Sequence, residues 1–211
     1  MNKKEKFILE QLNIMFPDAK GELDHENDFE LLVAVVLSAQ TTDVQVNIVT
    51  KELFKKYPTP EKLAEASISD VENLINSIGL YRNKAKNIIG LSKMLVNNFN
   101  GIVPGNRESL ESLPGVGRKT ANVVLSIAFD IPQIAVDTHV NRVSKRLGLA
   151  EESDSLIEVE NKLMKKFDKS TWTKLHHQLI FFGRYHCKAA KPNCKECPLV
   201  DICTYDKKNI W

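Results

Sequence analysis

Leu113-Pro114-Gly115-Val116-Gly117-Arg118-Lys119-Thr120-Ala121 is the stretch from which the fold reads most directly. Two glycines one residue apart permit a tight reversal that side chains would obstruct. A short helix near 107–112 leads into Pro114, and Ala121, Val124, Leu125 and Ala128 recur at helical spacing beyond the turn. The unit is therefore helix, glycine turn, helix. Backbone N–H groups of such a turn, with the positive end of the next helix behind them, make a phosphate site. It grips a nucleic-acid backbone without reading bases. Arg118 and Lys119 follow at once and favour that reading over a plain helix–helix turn.

Outward in both directions the pattern stays helical. Phe7, Ile8, Leu12 and Met15 form one stripe over 3–16, stopped by Pro17. Residues 29–38 are almost wholly apolar and predict a buried helix, with a strand as the competing reading because the run is rich in valine. Thr42 or Asp43 caps a helix over about 43–56 that ends near Pro58 and Pro60. Ser69 or Asp70 opens another, closed by Gly79, and a lysine-rich helix covers 83–98. Beyond the 118–129 helix, an apolar link runs from Pro132 to Asp137. Asp137 caps a helix carrying Val140, Val143 and Leu147, and two more follow near 155–167 and 171–186. No paired strands with hairpin signals appear, so the fold class is all-α. Ile78-Gly79-Leu80-Tyr81-Arg82-Asn83-Lys84-Ala85 repeats the pattern of helix end, glycine turn and basic helix start.

Composition excludes several classes. Of the 211 residues, 43% are apolar and 27% charged, which is a globular balance. The longest apolar run, Leu31 to Leu37, is far short of the about 20 residues a membrane span needs. The charged start Met1-Asn2-Lys3-Lys4-Glu5-Lys6 leads into no apolar signal segment, so a cytoplasmic location is expected. The net charge is only +2, yet it is unevenly spread. Residues 80–122 carry an excess of five positive charges, and 184–195 hold four basic residues and no acid. Such separated basic stretches fit a polyanion-binding face, although ordinary solvated surface would look similar.

All four cysteines fall between Cys187 and Cys203, spaced Cys187-x6-Cys194-x2-Cys197-x5-Cys203. A secreted disulfide framework would spread them, so clustered thiols read as a metal site. Only one pair is tight, whereas structural zinc commonly shows two. Spacing alone leaves tetrahedral zinc and a [4Fe–4S] cluster open. His186 is a substitute ligand in type, but four thiols already complete a set.

Several segments together carry a family resemblance. Residues 113–125 resemble the helix-hairpin-helix motif of the endonuclease III family of DNA repair glycosylases. Val136-Asp137-Thr138-His139-Val140-Asn141-Arg142-Val143 resembles that family's catalytic aspartate segment. Ser38-Ala39-Gln40-Thr41-Thr42-Asp43 and Ile78-Gly79-Leu80-Tyr81 resemble its two DNA-probing loops, and the cysteine spacing resembles its [4Fe–4S] loop. The resemblance covers nearly the whole chain in the expected order.

The resemblance implies two helical lobes flanking a DNA-binding cleft: a helical bundle of 22–132, and a second lobe of 1–21 plus 133–211 holding the cluster on Cys187, Cys194, Cys197 and Cys203. It implies a bifunctional glycosylase that removes oxidised pyrimidines and cuts the abasic site by β-elimination. Lys119 would be the nucleophile and Asp137 its acidic partner. DNA would be contacted by Gly115, Val116, Gly117 and Arg118 of the hairpin, by Gln40 filling the gap left in the duplex and by Leu80 wedging on the opposite strand; by their positions, His139 beside Asp137 and Lys188 and Lys191 inside the cysteine loop are further DNA-contact candidates. Double-stranded DNA bearing damaged bases or abasic sites is the implied partner, the protein acting as a monomer at the nucleoid.

An amine suits this chemistry because it forms an imine, which acts as an electron sink. It must be neutral to attack, and lowering a lysine's reference value of about 10.4 by three units costs roughly 4 kcal/mol. Burial, Arg118 and the helix N-terminus are expected to push that way. Two alternatives stand beside this reading: a monofunctional uracil or thymine mismatch glycosylase, against which Lys119 argues, and a non-catalytic zinc-bearing DNA-binding module.

Overall fold

The computed structural model describes residues 1–209. Helix α1 spans Lys3–Met15 and opens with a reciprocal capping box between Asn2 and Glu5. It buries Ile8 and Leu12, and Phe16 closes it just before Pro17.

Helix α2, Asp28–Leu37, resolves the competition between helix and strand. Asn27 caps it, Asp28 and Glu30 complement its positive end, and every residue from Phe29 to Leu37 is buried. A helix apolar on all sides belongs inside a bundle, and α2 is packed by α3 (Asp43–Lys56), α6 (Tyr81–Phe99) and α8 (Arg118–Ala128). Between α3 and α6 lie α4, Pro60–Ala64, and α5, Ile68–Ile75; α7 is the short Arg107–Glu111.

Two details depart from expectation. The Pro58–Pro60 stretch ends α3 but also starts α4, because Pro60 sits in the first turn behind the Thr59 cap, where its missing N–H costs nothing. Ser67, not Ser69 or Asp70, caps α5, which stops at Ile75; Ile78 still reaches the core from the following turn.

The link after Phe129 is extended but pairs with nothing as a strand, and the described residues contain no strand. It buries Ile134, Ala135 and Val136 and delivers Asp137 to the start of α9, Thr138–Arg146. Helices α10 (Leu156–Lys166) and α11 (Trp172–Phe181) follow, and α11 runs on into a π-helical turn, Phe182–His186. Gly183 lies in that turn. A Cβ there would sit 2.9 Å from His139 Cβ, so its absence lets the turn press against α9.

The chain resolves into two compact units, Glu22–Ile131 and Met1–Gly21 together with the segment from Pro132 onward. Each has its own core. Leu32, Leu53, Ile75, Ile88 and Leu95 centre the first; Ile8, Leu12, Val143, Leu163 and Phe182 centre the second.

Candidate functional site

In the first unit the turn between α7 and α8 is built on one indispensable glycine. Gly115 has φ +79°, and a Cβ there would lie 2.9 Å from Asn87 Cβ on α6. The buried Leu113 and Val116 anchor the turn from below, with the Val116 N–H donating to Leu113 O at 3.1 Å. Gly117 is different. It occupies the N-cap of α8 in an extended conformation, and a Cβ there would meet nothing within 4 Å. No packing demand explains it; what it leaves is a helix start without a side-chain cap. Lys119 is exposed on the first turn of α8 and Arg118 is half-buried. The burial of Lys119 expected from the sequence is not found.

The two other loops picked out by sequence share a backbone feature. Gln40 has φ +55° and Leu80 φ +59°. For residues with a Cβ this left-handed region costs about 1–2 kcal/mol. Both are exposed, Leu80 to 57%. Leu80 is also the N-cap of α6, which, like α8, begins without a side-chain cap. Behind them stands Lys84, buried to 4% exposure, whose Nζ donates to Thr41 Oγ1 at 2.7 Å. Sequence reasoning took Lys84 as one charge of a basic helix. The available signal was its place on the apolar face with Ala85 and Ile88.

In the second unit Asp137 is half-buried at the N-cap of α9, with Oδ1 accepting the Val140 N–H at 2.7 Å. His139 follows on the first turn. Its Nδ1 lies 3.2 Å from Arg142 Nη2, which also donates to Gly183 O at 2.8 Å, and Arg142 Nε donates to Cys187 O at 3.2 Å. Burial, with Arg146 second, lowers the Arg142 pKa from its ordinary value, while Cys187 and Asp137 oppose the shift.

Arg146, one turn further on, was missed by sequence reasoning. Its guanidinium is buried, lies 3.4 Å from Cys187 Sγ, donates to Lys188 O and Ala189 O at 2.8 and 3.1 Å, and rests over the Tyr205 ring at 4.0 Å. Its own carbonyl accepts the Thr204 N–H at 2.9 Å. One residue thus holds the cysteine loop at both ends. The signal was two arginines four apart on α9, the spacing of a single helix face.

The four cysteines line one cavity together with Arg146, His186 and Tyr205, about 340 Å³ counting its open mouth. Among the described residues no three His, Cys, Asp or Glu side chains gather closely enough for a single metal ion. The thiols ring a space instead of converging on a point. His186 stacks on Phe182 at 5.2 Å, and its buried Nε2 has no hydrogen-bond partner. Burial pushes the Cys187 thiol up and Cys197 up to about 11. Lys188 and Lys191 are exposed within the loop, Lys191 with φ +54°.

Residues 33–169 match the HhH-GPD superfamily of base excision DNA repair proteins. Over 206 residues the chain is 57% identical to endonuclease III of Bacillus subtilis, covering 98% of this chain and 94% of that protein. The chain belongs to the endonuclease III family. Endonuclease III of Escherichia coli is 46% identical over 99% of both chains. A solved endonuclease III–DNA structure, described as a trapped covalent intermediate in an estranged-adenine complex, superposes with a TM-score of 0.92 at 56% identity, covering 97% of each chain. In endonuclease III terms, the hairpin and the Asp137 segment fall inside the superfamily match, and the cysteine loop lies beyond it but within the span shared with both relatives.

Proposed function

We propose that this protein performs base-excision repair as a DNA glycosylase and abasic-site lyase acting on oxidised pyrimidines, with Lys119 as nucleophile and Asp137 as its acidic partner. The observation that carries the reading is an exposed lysine on the uncapped first turn of α8, directly behind the Gly115–Gly117 turn. A relative 56% identical was captured covalently on DNA, which supports an amine-mediated route.

The target nucleotide must leave the stack before C1′ can be reached. The hairpin binds phosphates through main-chain N–H groups and holds the strand while Gln40 and Leu80 fill the space left in the duplex. His139, Lys188 and Lys191 add contacts to DNA. The Lys119 lone pair attacks C1′, and the bond from C1′ to the base breaks with its electron pair leaving on the base, which takes up a proton. Opening of the C1′–O4′ bond gives an iminium. Loss of a C2′ proton then expels the 3′ phosphate with the C3′–O electron pair. Water finally hydrolyses the imine and regenerates the amine. Asp137 takes the proton from the attacking amine or balances positive charge at C1′. Its Oδ1 is already engaged in the helix cap, which fixes the carboxylate's orientation.

The cysteine site fits a [4Fe–4S] cluster. A tetrahedral zinc needs four sulfurs about 2.3 Å from one centre, whereas thiols ringing a cavity suit a polynuclear group. Cys187, Cys194, Cys197 and Cys203 would hold it, each giving up a proton on loading. When bound, such a cluster cross-links the loop and supplies a one-electron couple. Arg146 presents positive charge to Cys187, and the ordered loop carries Lys188 and Lys191. The protein is read as a monomer working on chromosomal DNA at the nucleoid; no described helix is long and apolar enough to cross a membrane.

Borohydride trapping on abasic-site duplex tests the assignment. The native chain is expected to form a covalent adduct and Lys119→Gln none. Equal trapping by Lys119→Gln would remove Lys119 as nucleophile, and absence of trapping by the native chain would favour the monofunctional alternative.

A further inference from the structure

The left-handed turns at Gln40 and Leu80 lie on separate segments, Ser38–Thr42 before α3 and Ile78–Leu80 before α6. What joins them is Lys84. Its backbone N–H donates to Leu80 O at 3.0 Å, closing the first turn of α6 beneath the Leu80 tip. Its Nζ donates to Thr41 Oγ1 at 2.7 Å, and the Thr41 hydroxyl lies 3.4 Å from Ala39 O, on the other side of Gln40. The Thr41 N–H donates to Ser38 O at 3.1 Å. The chain of contacts runs from one tip to the other through a single side chain.

The bond comes at a cost. Lys84 is 4% exposed, and burial lowers its pKa from the ordinary lysine value. Its acceptor is a neutral hydroxyl, which compensates a buried ammonium less well than a carboxylate does. A methionine of similar volume would fill the same space without that penalty. A buried lysine in this setting is poor for stability and good for fixing distance and direction.

We propose that Lys84 is a positioning residue that locks the Gln40 and Leu80 turns to each other, so that both side chains enter duplex DNA as one rigid wedge. The proposal rests on the reading of Gln40 and Leu80 as gap-filling residues. A free Thr41 turn would have to be ordered during every encounter with DNA. Held in place beforehand, it makes the opening of the stack a single event.

The test uses duplex DNA carrying a tetrahydrofuran abasic analogue with 2-aminopurine opposite it, so that unstacking is read as a fluorescence rise at saturating protein. The full chain is compared with Leu80→Ala, Lys84→Met and Thr41→Val, the last removing the acceptor while the lysine stays in place. Lys84→Met is expected to melt at or above the native temperature, which a merely structural role would not allow. Both Lys84→Met and Thr41→Val should give less than about half the native rise, and the double variant no further loss, since one bond is being removed. A native rise that persists in Leu80→Ala would overturn the wedge reading, and the lock with it. A rise lost in Leu80→Ala but kept in full by Thr41→Val and Lys84→Met would overturn the lock alone. If Lys84→Met does not fold, Thr41→Val decides by itself.

Discussion

Asp137 caps α9 and is proposed to act in catalysis, and one pair of substitutions separates the two. Its Oδ1 accepts the Val140 N–H at 2.7 Å and so caps α9. Asparagine caps as well as aspartate, so Asp137→Asn keeps the bond and forfeits only the charge at the helix N-terminus, about 0.3–1 kcal/mol. Asp137→Ala loses the cap too, about 1 kcal/mol more. For a chain of this size each kcal/mol moves the melting temperature by about 2–4 °C. Thermal unfolding should therefore place Asp137→Asn about 1–4 °C below the native protein and Asp137→Ala about 3–8 °C below. Activity should not follow that order. If the carboxylate moves a proton or balances charge at C1′, both variants lose about 10²–10⁴-fold in single-turnover release of thymine glycol from duplex DNA. Asp137→Asn retaining activity within about tenfold of native would show Asp137 to be a cap and nothing more.

The two hairpin glycines should part company in the same way. Gly115→Ala meets both a left-handed φ and Asn87, and should lower the melting temperature by about 4–10 °C in calorimetry; Gly117→Arg has open space for its side chain, and should cost only about the 1 kcal/mol of a poorer N-cap while weakening duplex binding across all sequences in anisotropy titrations. Arg146→Met should release the loop at both ends, so that absorbance from the cluster near about 400 nm bleaches faster on heating while the 400 nm band of the freshly loaded protein is retained. Burial raises the Cys197 thiol from 9.0 to about 11. An acid raised in the fold contributes stability that is complete below its unfolded value and lost as pH climbs through the folded one. Urea denaturation should show the cluster-free chain weakening between pH 9 and 11, with the reconstituted protein lacking this component.

Much of the helical skeleton was legible because its signals are local. Thr42, Asn106, Asp137 and Ser155 each cap the helix that follows them. Ile8, Leu12 and Met15 of the first stripe and the spacing of Ala121, Val124 and Leu125 mark faces that the cores bury or partly bury, while Phe7 of the same stripe stays exposed. Three features were not legible, each for a physical reason. Helix α4 hides behind a proline that both ends one helix and begins another. The π-helical end of α11 depends on how Gly183 meets His139, a contact between segments more than forty residues apart. Lys84 and Arg146 are lysine and arginine in sequence, and nothing local distinguishes a solvated one from a buried one holding a neighbouring loop.

Backbone conformation bears on the proposed DNA contacts independently of the motifs. Five described residues other than glycine have positive φ: Gln40, Leu80, Asn100, Asp130 and Lys191. Asn100 and Asp130 need no special account, since asparagine and aspartate tolerate this region, and Asn100 ends α6 in a common C-cap geometry. The other three are of types that gain nothing from it, and glycine at each would relieve about 1 kcal/mol of strain. All three are exposed, and all three were expected to contact DNA, Gln40 and Leu80 from the family resemblance and Lys191 from its place in the cysteine loop. The side chain at each must therefore be worth more than the strain it brings. Leu80 is the sharpest case, being apolar, exposed, left-handed and the N-cap of a helix it cannot cap. Three local preferences are violated at one position, and folding alone rewards none of them. The proposed role among DNA bases would, because an apolar tip aimed outward by a forced turn gains its burial only when the duplex arrives.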